Sequence, residues 1–349
     1  PIESFSILKF SAIATKISHP DSKFNLGERA ADSLMRLPYS TRMKRLLYFG
    51  IFVWSFFAIV LAFRLKERFS SETLKVTFWD IGQGDSILME FPKGKTLLID
   101  SGGGNPHWTQ GRPILSELRS KGILNLDAVL LTHPDSDHIL GFTELVDQMG
   151  IKEYWLNPVF MDDKIVPLLW KLIWQFKEQK VKPIFFGKAE KRNWDGVELT
   201  FLPARGASEN DQCVVLLAEF QGCRILMTGD IEKDSERELK DKLNSSVHLF
   251  KVAHHGSKTS STKDFLRKVD PKWSVISVGW ANRYGHPKDF VTERLRALGS
   301  EVFRTDWHGF VEFTIQKNGK IQCRTARGDC GTSECHSLSD DLKSHMPAF

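Results

Sequence analysis

The sequence predicts an α+β fold in which two β-sheets pack together with helices outside, preceded by one transmembrane helix. Three observations carry this reading. An uncharged apolar run fills residues 46–63, short β-branched and aromatic runs begin at Lys75, and residues able to hold a metal recur at the ends of those runs. Hydrophobic content of 41% suits a sizeable core and excludes disorder, and a formal charge of +5 suits a polyanionic substrate or an anionic membrane without requiring either.

Taken in order, Phe5–Ile17 is apolar with interspersed Ser and Lys, as in a membrane-surface or re-entrant helix, and Pro20–Asn25 and Pro38–Thr41 read as connecting loops. Because the first residue is Pro, the chain is expected to be processed or cut from a longer one. Leu46–Phe63 has 18 residues without a charge, between Arg42, Lys44, Arg45 and Arg64, Lys66, Arg68. A helix of that length covers about 27 Å, enough for the hydrocarbon core. It starts too far from the N-terminus for a signal peptide, and a buried core helix, the competing reading, seldom runs so long without a polar face. The nearly balanced basic flanks slightly favour placing the C-terminal bulk outside the cytoplasm.

From Lys75 the runs Lys75–Trp79, Ser86–Phe91 and Thr96–Ile99 come in hairpins, whereas Ala128–Thr132, Leu249–Val252 and Trp273–Val278 alternate with helical stretches such as Ile139–Gln148, Ser261–Val269 and Lys288–Leu298. Hairpins followed by alternation suit two sheets with helices outside. The organisation expected is a membrane-associated region over 1–70, a two-sheet domain over 71–326 and a flexible tail over 327–349. Five cysteines, with no CxxC spacing, argue against a structural zinc site or a dense disulfide framework. Cys330 and Cys335 could pair in an oxidising compartment or remain free thiols.

The chemistry concentrates where strands end. His133-Pro134-Asp135-Ser136-Asp137-His138 follows a buried apolar run, so a tight turn aims imidazoles and carboxylates at one point. Asp80–Ser86 and Ile99–Gly104 are glycine-bearing turns after strands, Thr228-Gly229-Asp230 ends another strand with a carboxylate, and Lys251–Ser257 carries adjacent histidines that are costly to bury unless bound. Gly279–Pro287 combines Asn282, Arg283 and His286 in one loop. His107, His248 and His308 are isolated and read as surface or hydrogen-bonded residues. The aromatic stretch Trp155–Phe186 reads as helix-face core, with stacking surfaces for unpaired bases as the alternative.

The series Asp80–Ser86, Ile99–Gly103, Thr132–His138, Thr228–Asp230, His254–Ser257, Asn282–Pro287 and Phe303–Gly309 resembles the metallo-β-lactamase-like domain at the C-terminal end of the ComEC family, inner-membrane DNA-uptake channels. The likeness covers about Lys75 to Arg324, and the helix before it resembles the end of the ComEC membrane region. It implies the metallo-β-lactamase fold, an αββα four-layer sandwich, with two divalent ions: manganese or zinc, with magnesium also admitted by the oxygen-rich ligands. By this resemblance His133 and Asp135 belong to one metal position, Asp137 and His138 to the second, and Asp230 bridges them. Of His254 and His255 one ligates and the other faces the scissile phosphate; His254 is assigned as ligand and His255, with Asp137 and His286, as catalytic, an order the sequence leaves reversible. Ser257, Lys258 and Asn282 are candidate substrate contacts. The chain carries Asp135, as ComEC-like members do, where the wider superfamily has His, and Asn210–Cys213 where the superfamily's third histidine is usual; it departs from the family in Leu140, which stands in place of a glycine and crowds the helix start, and in Cys213, where Ser is commoner.

The implied function is a membrane-tethered phosphodiesterase or nuclease that degrades the non-imported strand during competence DNA uptake, at the bacterial cytoplasmic membrane with its domain on the extracytoplasmic face. Its partners would be DNA, single-stranded by preference, the membrane and other DNA-uptake proteins. Two alternatives are a DNA-guiding module with a vestigial metal site and a metallo-hydrolase of small phosphoesters.

Overall fold

The computed structural model describes residues 48–60, 71–103, 114–162, 165–206, 208–244 and 246–335. The chain divides into two compact units, Pro1–Lys66 and Glu67–Phe349. In the first, residues 48–60 are helical and expose most of their large apolar side chains, among them Phe52, Trp54 and Phe57. Among the described residues no helix is long and apolar enough to cross a membrane. The remainder of the expected 46–63 span lies outside the described residues, as do Phe5–Ile17, Pro20–Asn25 and Pro38–Thr41.

The second unit begins with β1 (Leu74–Phe78), β2 (Ile87–Glu90) and β3 (Thr96–Ile99), an antiparallel meander, to which β4 (Asn125–Leu131), β5 (Gly150–Leu156) and β6 (Lys182–Phe185) add in parallel. A second sheet follows. Its strands β7 (Glu190–Trp194), β8 (Val197–Pro203), β9 (Val214–Phe220) and β10 (Cys223–Met227) are antiparallel, and β11 (Leu249–Lys251), β12 (Trp273–Ile276) and β13 (Glu301–Arg304) continue it in parallel. The chain then returns to the first sheet with β14 (Val311–Ile315), β15 (Lys320–Thr325) and β16 (Gly328–Glu334), completing nine strands against seven.

Helices α1 (Ile114–Ser120), α2 (Ser136–Ile139), α3 (Phe142–Gln148) and α4 (Pro167–Glu178) connect strands of the first sheet; α5 (Lys233–Lys242), α6 (Lys263–Val269), α7 (Asp289–Ala297) and α8 (Thr305–His308) belong to the later part. The core separates accordingly. Val76, Phe78, Leu130, Leu199, Ile225 and Phe313 fill the space between the sheets. Leu98, Val129 and Leu131 face outward with Leu118, Leu145 and Leu172 of α1, α3 and α4, and Leu226, Phe250 and Ile276 face outward with Leu239, Leu266 and Leu295 of α5, α6 and α7. Alternate residues of β4 thus serve two cores, as expected of a parallel strand covered on both faces. The result is the helix–sheet–sheet–helix sandwich that the hairpin-then-alternation pattern implied.

In α4, Leu169, Leu172 and Phe176 are buried while Trp170 and Trp174 are exposed, so the aromatic stretch divides by helical period. Trp155 and Phe186 lie wholly inside the inter-sheet core.

Two expectations about the C-terminus are corrected. Residues 328–334, assigned to the tail, form β16, paired antiparallel with β15. Cys330 does not pair with Cys335: the bridges are Cys323–Cys330 and Cys223–Cys335. Five residues of extended chain separate two Cα atoms by about 16 Å, far beyond disulfide reach, so Cys330 takes its partner from β15 and Cys335 takes its partner from β10 of the second sheet. Residues 336–349 of the expected tail lie outside the described residues.

Candidate metal centre

The parallel pairing of β3 with β4 sets Ile99 opposite Leu130, so the two strands deliver Asp100 and Thr132 side by side. The Thr132 N–H donates to Asp100 Oδ1 at 2.8 Å and its hydroxyl donates to Oδ2 at 2.6 Å. His138, inside α2, places Nδ1 2.8 Å from the same Oδ2. A carboxylate can only accept, so Nδ1 carries the proton and Nε2 turns a lone pair toward the cavity.

The glycines of the two preceding turns serve this geometry. A Cβ on Gly84 or Gly102 would run into the Asp137 carbonyl. The Asp85 N–H donates to the Asp137 carbonyl at 3.1 Å and the Ser101 N–H to the His138 carbonyl at 2.7 Å, which locks the ligand turn against its neighbours. What these glycines approach is the backbone under the ligands. Gly141 is constrained in the same way by Ser101, whereas Leu140, which stands in place of a glycine, has ordinary helical φ −62° and is only half-buried.

The second sheet supplies the opposite wall. Past the end of β10, buried Asp230 directs Oδ2 to within 3.3 Å of both His138 Nε2 and His255 Nε2. His255 lies in the tight turn Ala253–Gly256, where His254 and His255 have φ of 49° and 52°, left-handed values that cost a non-glycine residue about 1–3 kcal/mol each. Its Nδ1 donates to the Ser277 carbonyl at 2.8 Å, so Nε2 faces Asp230 and also Asp137 Oδ2 at 3.5 Å.

Lys251, at the end of β11, is fully buried beneath this group, with Nζ 2.5 Å from Asp85 Oδ2, 3.4 Å from Asp230 Oδ1 and 3.3 Å from the Gly229 carbonyl. Asp230 therefore gives one oxygen to a lysine and keeps the other for the imidazoles.

The donors fit a divalent cation. The Nε2 atoms of His133, His138 and His255 are buried without a hydrogen-bond partner. His133, His138 and Asp230 form one group of ligand atoms mutually within 4.8 Å, and Asp137, His138 and His255 form another. A third group, Asp85, Asp100 and His138, uses the Nδ1 side of His138, where the Lys251 ammonium already supplies a cation to Asp85. Burial pulls the His138 and His255 imidazoles down, but Asp230 and the adjoining carboxylates outweigh it and hold both well above the usual histidine range. Burial likewise opposes ionisation of Asp230, and His255, His138 and Lys251 override it, leaving its carboxyl far below the ordinary range. Asp137 is lowered in the same way by His255 and His138. Protons thus stand where a metal would compete for the same lone pairs.

The predicted site residues divide into those that converge and those that do not. His133, Asp137, His138 and Asp230 converge, and half-buried Asp135 directs Oδ2 to 3.6 Å from His133 Nε2. Of the two adjacent histidines, the geometry draws in His255, the one assigned to catalysis, rather than His254, the one assigned as ligand. His255 is in the group, whereas His254 is at its rim, with Nε2 4.0 Å from Asp230 and Nδ1 3.3 Å from Glu232 Oε1 and Thr259 Oγ1. Two consecutive left-handed residues turn one ring inward and leave the other near the surface.

Ser257 is also corrected: it is buried and bonds Thr259 Oγ1 at 3.0 Å and the Thr259 N–H at 3.4 Å, closing a turn. Asn282 gives its amide hydrogens to the Gly279 and His286 carbonyls and accepts the His286 N–H, so its polar groups are spent on shaping its loop. Lys258 is exposed. His286 stands beyond the ligand groups, its ring 6.0 Å from that of His254; burial and the neighbouring His255 and His254 push its pKa down to about 4. Buried Cys213 accepts the Asp230 N–H at 3.4 Å, and burial raises its thiol, which keeps it protonated.

Sequence reasoning missed Asp85, Asp100 and Lys251. The two carboxylates sat in turns already noted for their glycines, beside strand ends like the residues predicted to ligate. Lys251 had a signal of its own, a charge closing the apolar run Leu249–Lys251.

Residues 79–280 match the profile of the metallo-beta-lactamase superfamily. The chain belongs to this superfamily. Within it, the chain is 32% identical over 252 residues to Competence protein ComA of Neisseria gonorrhoeae, covering 70% of this chain and 33% of that protein. It is 31% identical over 256 residues to ComE operon protein 3 of Bacillus subtilis, covering 68% of this chain and 33% of that protein. The chain thus spans about a third of the length of these relatives, which agree with the resemblance to ComEC drawn from the sequence. Among solved structures it is similar to the CmlA beta-hydroxylase E377D mutant, with a TM-score of 0.50 and 12% identity over 68% of this chain and 53% of that one, a likeness of fold alone.

Proposed function

We propose that the chain is a membrane-tethered, metal-dependent phosphodiesterase that cuts DNA during competence DNA uptake and degrades the strand that is not imported. One observation carries this reading: three buried imidazole nitrogens without partners converge on Asp230 and Asp137 in a superfamily member whose relatives are named as competence proteins. His133 and Asp135 would hold one divalent ion, and Asp137, His138 and His255 a second, with Asp230 Oδ2 facing both. The three carboxylates among these ligands make manganese a fitting occupant alongside zinc, with magnesium admitted. When bound, divalent ions supply the charge that turns water into a nucleophile near neutral pH and offset that of a phosphodiester.

The side chains do the rest. Asp100 and the Ser277 carbonyl hold His138 and His255 in one tautomer and orientation. Lys251 neutralises Asp85 and ties back one oxygen of Asp230, so the excess negative charge of the floor is reduced without occupying the cavity. Asp137, kept ionised, can accept the proton of an attacking water, and His286, neutral at pH 7, can donate to a phosphate oxygen. No side-chain nucleophile is needed.

The two disulfides support an oxidising, extracytoplasmic setting for this unit, and the apolar helical residues 48–60 support a membrane anchor over 46–63. Partners on this reading are single-stranded DNA, the membrane and other DNA-uptake proteins. The test is to incubate the full chain, with metal content measured, with end-labelled single-stranded DNA and manganese, against a chelator control. Metal-dependent fragments are expected; intact DNA in the presence of metal-loaded protein would overturn the proposal.

A further inference from the structure

The loop Gly279–Pro287 borders the metal centre and is built unlike it. Its Gly279 N–H donates to Gln83 Oε1 at 3.3 Å, and a Cβ at that glycine would strike the Gln83 backbone, so the loop is pressed against the turn that carries Asp85. Asn282 braces it from within. With the polar groups of Asn282 used internally, the loop turns apolar rings to solvent: Trp280 is 67% and Tyr284 44% exposed.

Tyr284 is not isolated. Tyr284 lies parallel to His286, with centroids 5.7 Å apart and planes at 11°. His286 is 6.0 Å from His254, which is 6.3 Å from the ligand His255. A row of rings therefore runs from the exposed surface to the cluster. Cations flank it. The Arg283 guanidinium lies 4.9 Å from the Tyr284 ring centroid and donates to its hydroxyl at 2.7 Å, and Lys288 Nζ donates to the Tyr284 carbonyl at 2.9 Å. Lys258 is exposed on the neighbouring turn.

We infer that this loop is a stacking platform for the bases of single-stranded DNA, with Trp280 offering the open ring face, Tyr284 continuing the row and Arg283 meeting the phosphate. The inference rests on the phosphodiesterase reading and specifies its substrate. Exposed rings beside cations match a chain of alternating bases and phosphates, and an unpaired base has a free face that a base inside a duplex lacks. The row of rings would lead such a strand so that a phosphate following a stacked base arrives at the cluster.

The experiment uses the full chain with manganese and a single-stranded oligonucleotide carrying 2-aminopurine and phosphorothioate linkages, which preserve the probe during titration. The fluorescence should be quenched on binding. Trp280→Ala and Tyr284→Ala should each weaken binding by about tenfold and reduce the quench, as loss of a base–ring stack does. An abasic oligonucleotide should lose as much with the unaltered protein, and a duplex of the same sequence should bind more weakly. Far-UV circular dichroism of both variants should match that of the unaltered protein, which shows that they fold, and hydrolysis of bis(p-nitrophenyl) phosphate by Trp280→Ala should stay unchanged. Unchanged oligonucleotide binding by the variants, or duplex binding as tight as single-strand binding, overturns the platform even where the small diester is hydrolysed. Loss of binding in the variants supports the platform even where no diester is cut, and the phosphodiesterase reading then fails by itself.

Discussion

The floor of the metal centre and its rim solve opposite problems with similar residues. On the floor, each histidine spends one ring nitrogen on a buried acceptor, His138 on Asp100 and His255 on the Ser277 carbonyl, and leaves the other without a partner. On the rim, Asn282 and Ser257 spend their polar groups on their own loops and leave nothing over. Polarity alone therefore does not mark a contact with a ligand: what marks it is an unsatisfied atom held in place by a satisfied one.

The sharpest test of that contrast is the pair of adjacent histidines. His255→Ala should empty the site and lower any metal-dependent hydrolysis by about a thousandfold, whereas His254→Ala should keep the metal and lose about tenfold at most. Plasma mass spectrometry and initial rates measure both. Equal loss of metal in the two variants would refute the floor-and-rim division.

Next in size is the lysine under the floor. Lys251→Met strands the buried carboxylate of Asp85 and frees Asp230 from its tether, at an expected cost of about 3–5 kcal/mol of folding stability. Denaturant unfolding reads this, and a change below about 1 kcal/mol would show that Lys251 does not carry the charge balance assigned to it.

A smaller effect is expected at an anchor. Asp100→Asn keeps the shape but replaces the acceptor that sets the His138 tautomer, so metal affinity should fall about 10–100-fold while the fold persists. Competition with a fluorescent chelator measures it; unaltered affinity would mean the anchor does not orient the ligand.

The smallest effect belongs to a charge pair away from the site, which serves as the comparison for electrostatics without a ligand role. Lys121 Nζ is 2.7 Å from Glu312 Oε2, and although burial opposes it, this ammonium together with Arg324 holds the Glu312 carboxyl below the usual glutamate range. A carboxyl with a folded pKa below its unfolded value adds stability above the unfolded value, about 4.3, and loses it as pH falls through the folded one. Lys121→Met should therefore cost about 1–2 kcal/mol at pH 7, with the difference from the unaltered protein shrinking below about pH 4. Unfolding curves across that range check it, and a difference that grows toward acid would contradict the sign.

Much of this was legible beforehand. Period-two runs, glycine turns and ligands at strand ends are local signals, and they indicated the two sheets, the outer helices and the convergence of His133, Asp137, His138 and Asp230. Orientation was not legible. Whether His254 or His255 turns inward depends on two backbone torsions and on a carbonyl, that of Ser277, supplied by a different strand. The Cys223–Cys335 bridge escaped for the same reason, since the two are 112 residues apart and lie at strands of different sheets, whereas Cys323 and Cys330 are seven residues apart and were missed with the β15–β16 hairpin, part of which was assigned to the tail.

By itself the sequence determined which residue types could bind a cation and that each would stand where a buried strand stops, because hydrophobic periodicity and turn chemistry act over a few residues. Only the tertiary structure decided which atoms are left unsatisfied. That property belongs to pairs such as His138 with Asp100 and Lys251 with Asp85, which are distant in sequence and are brought together by the pairing of strands and the packing of one sheet against the other.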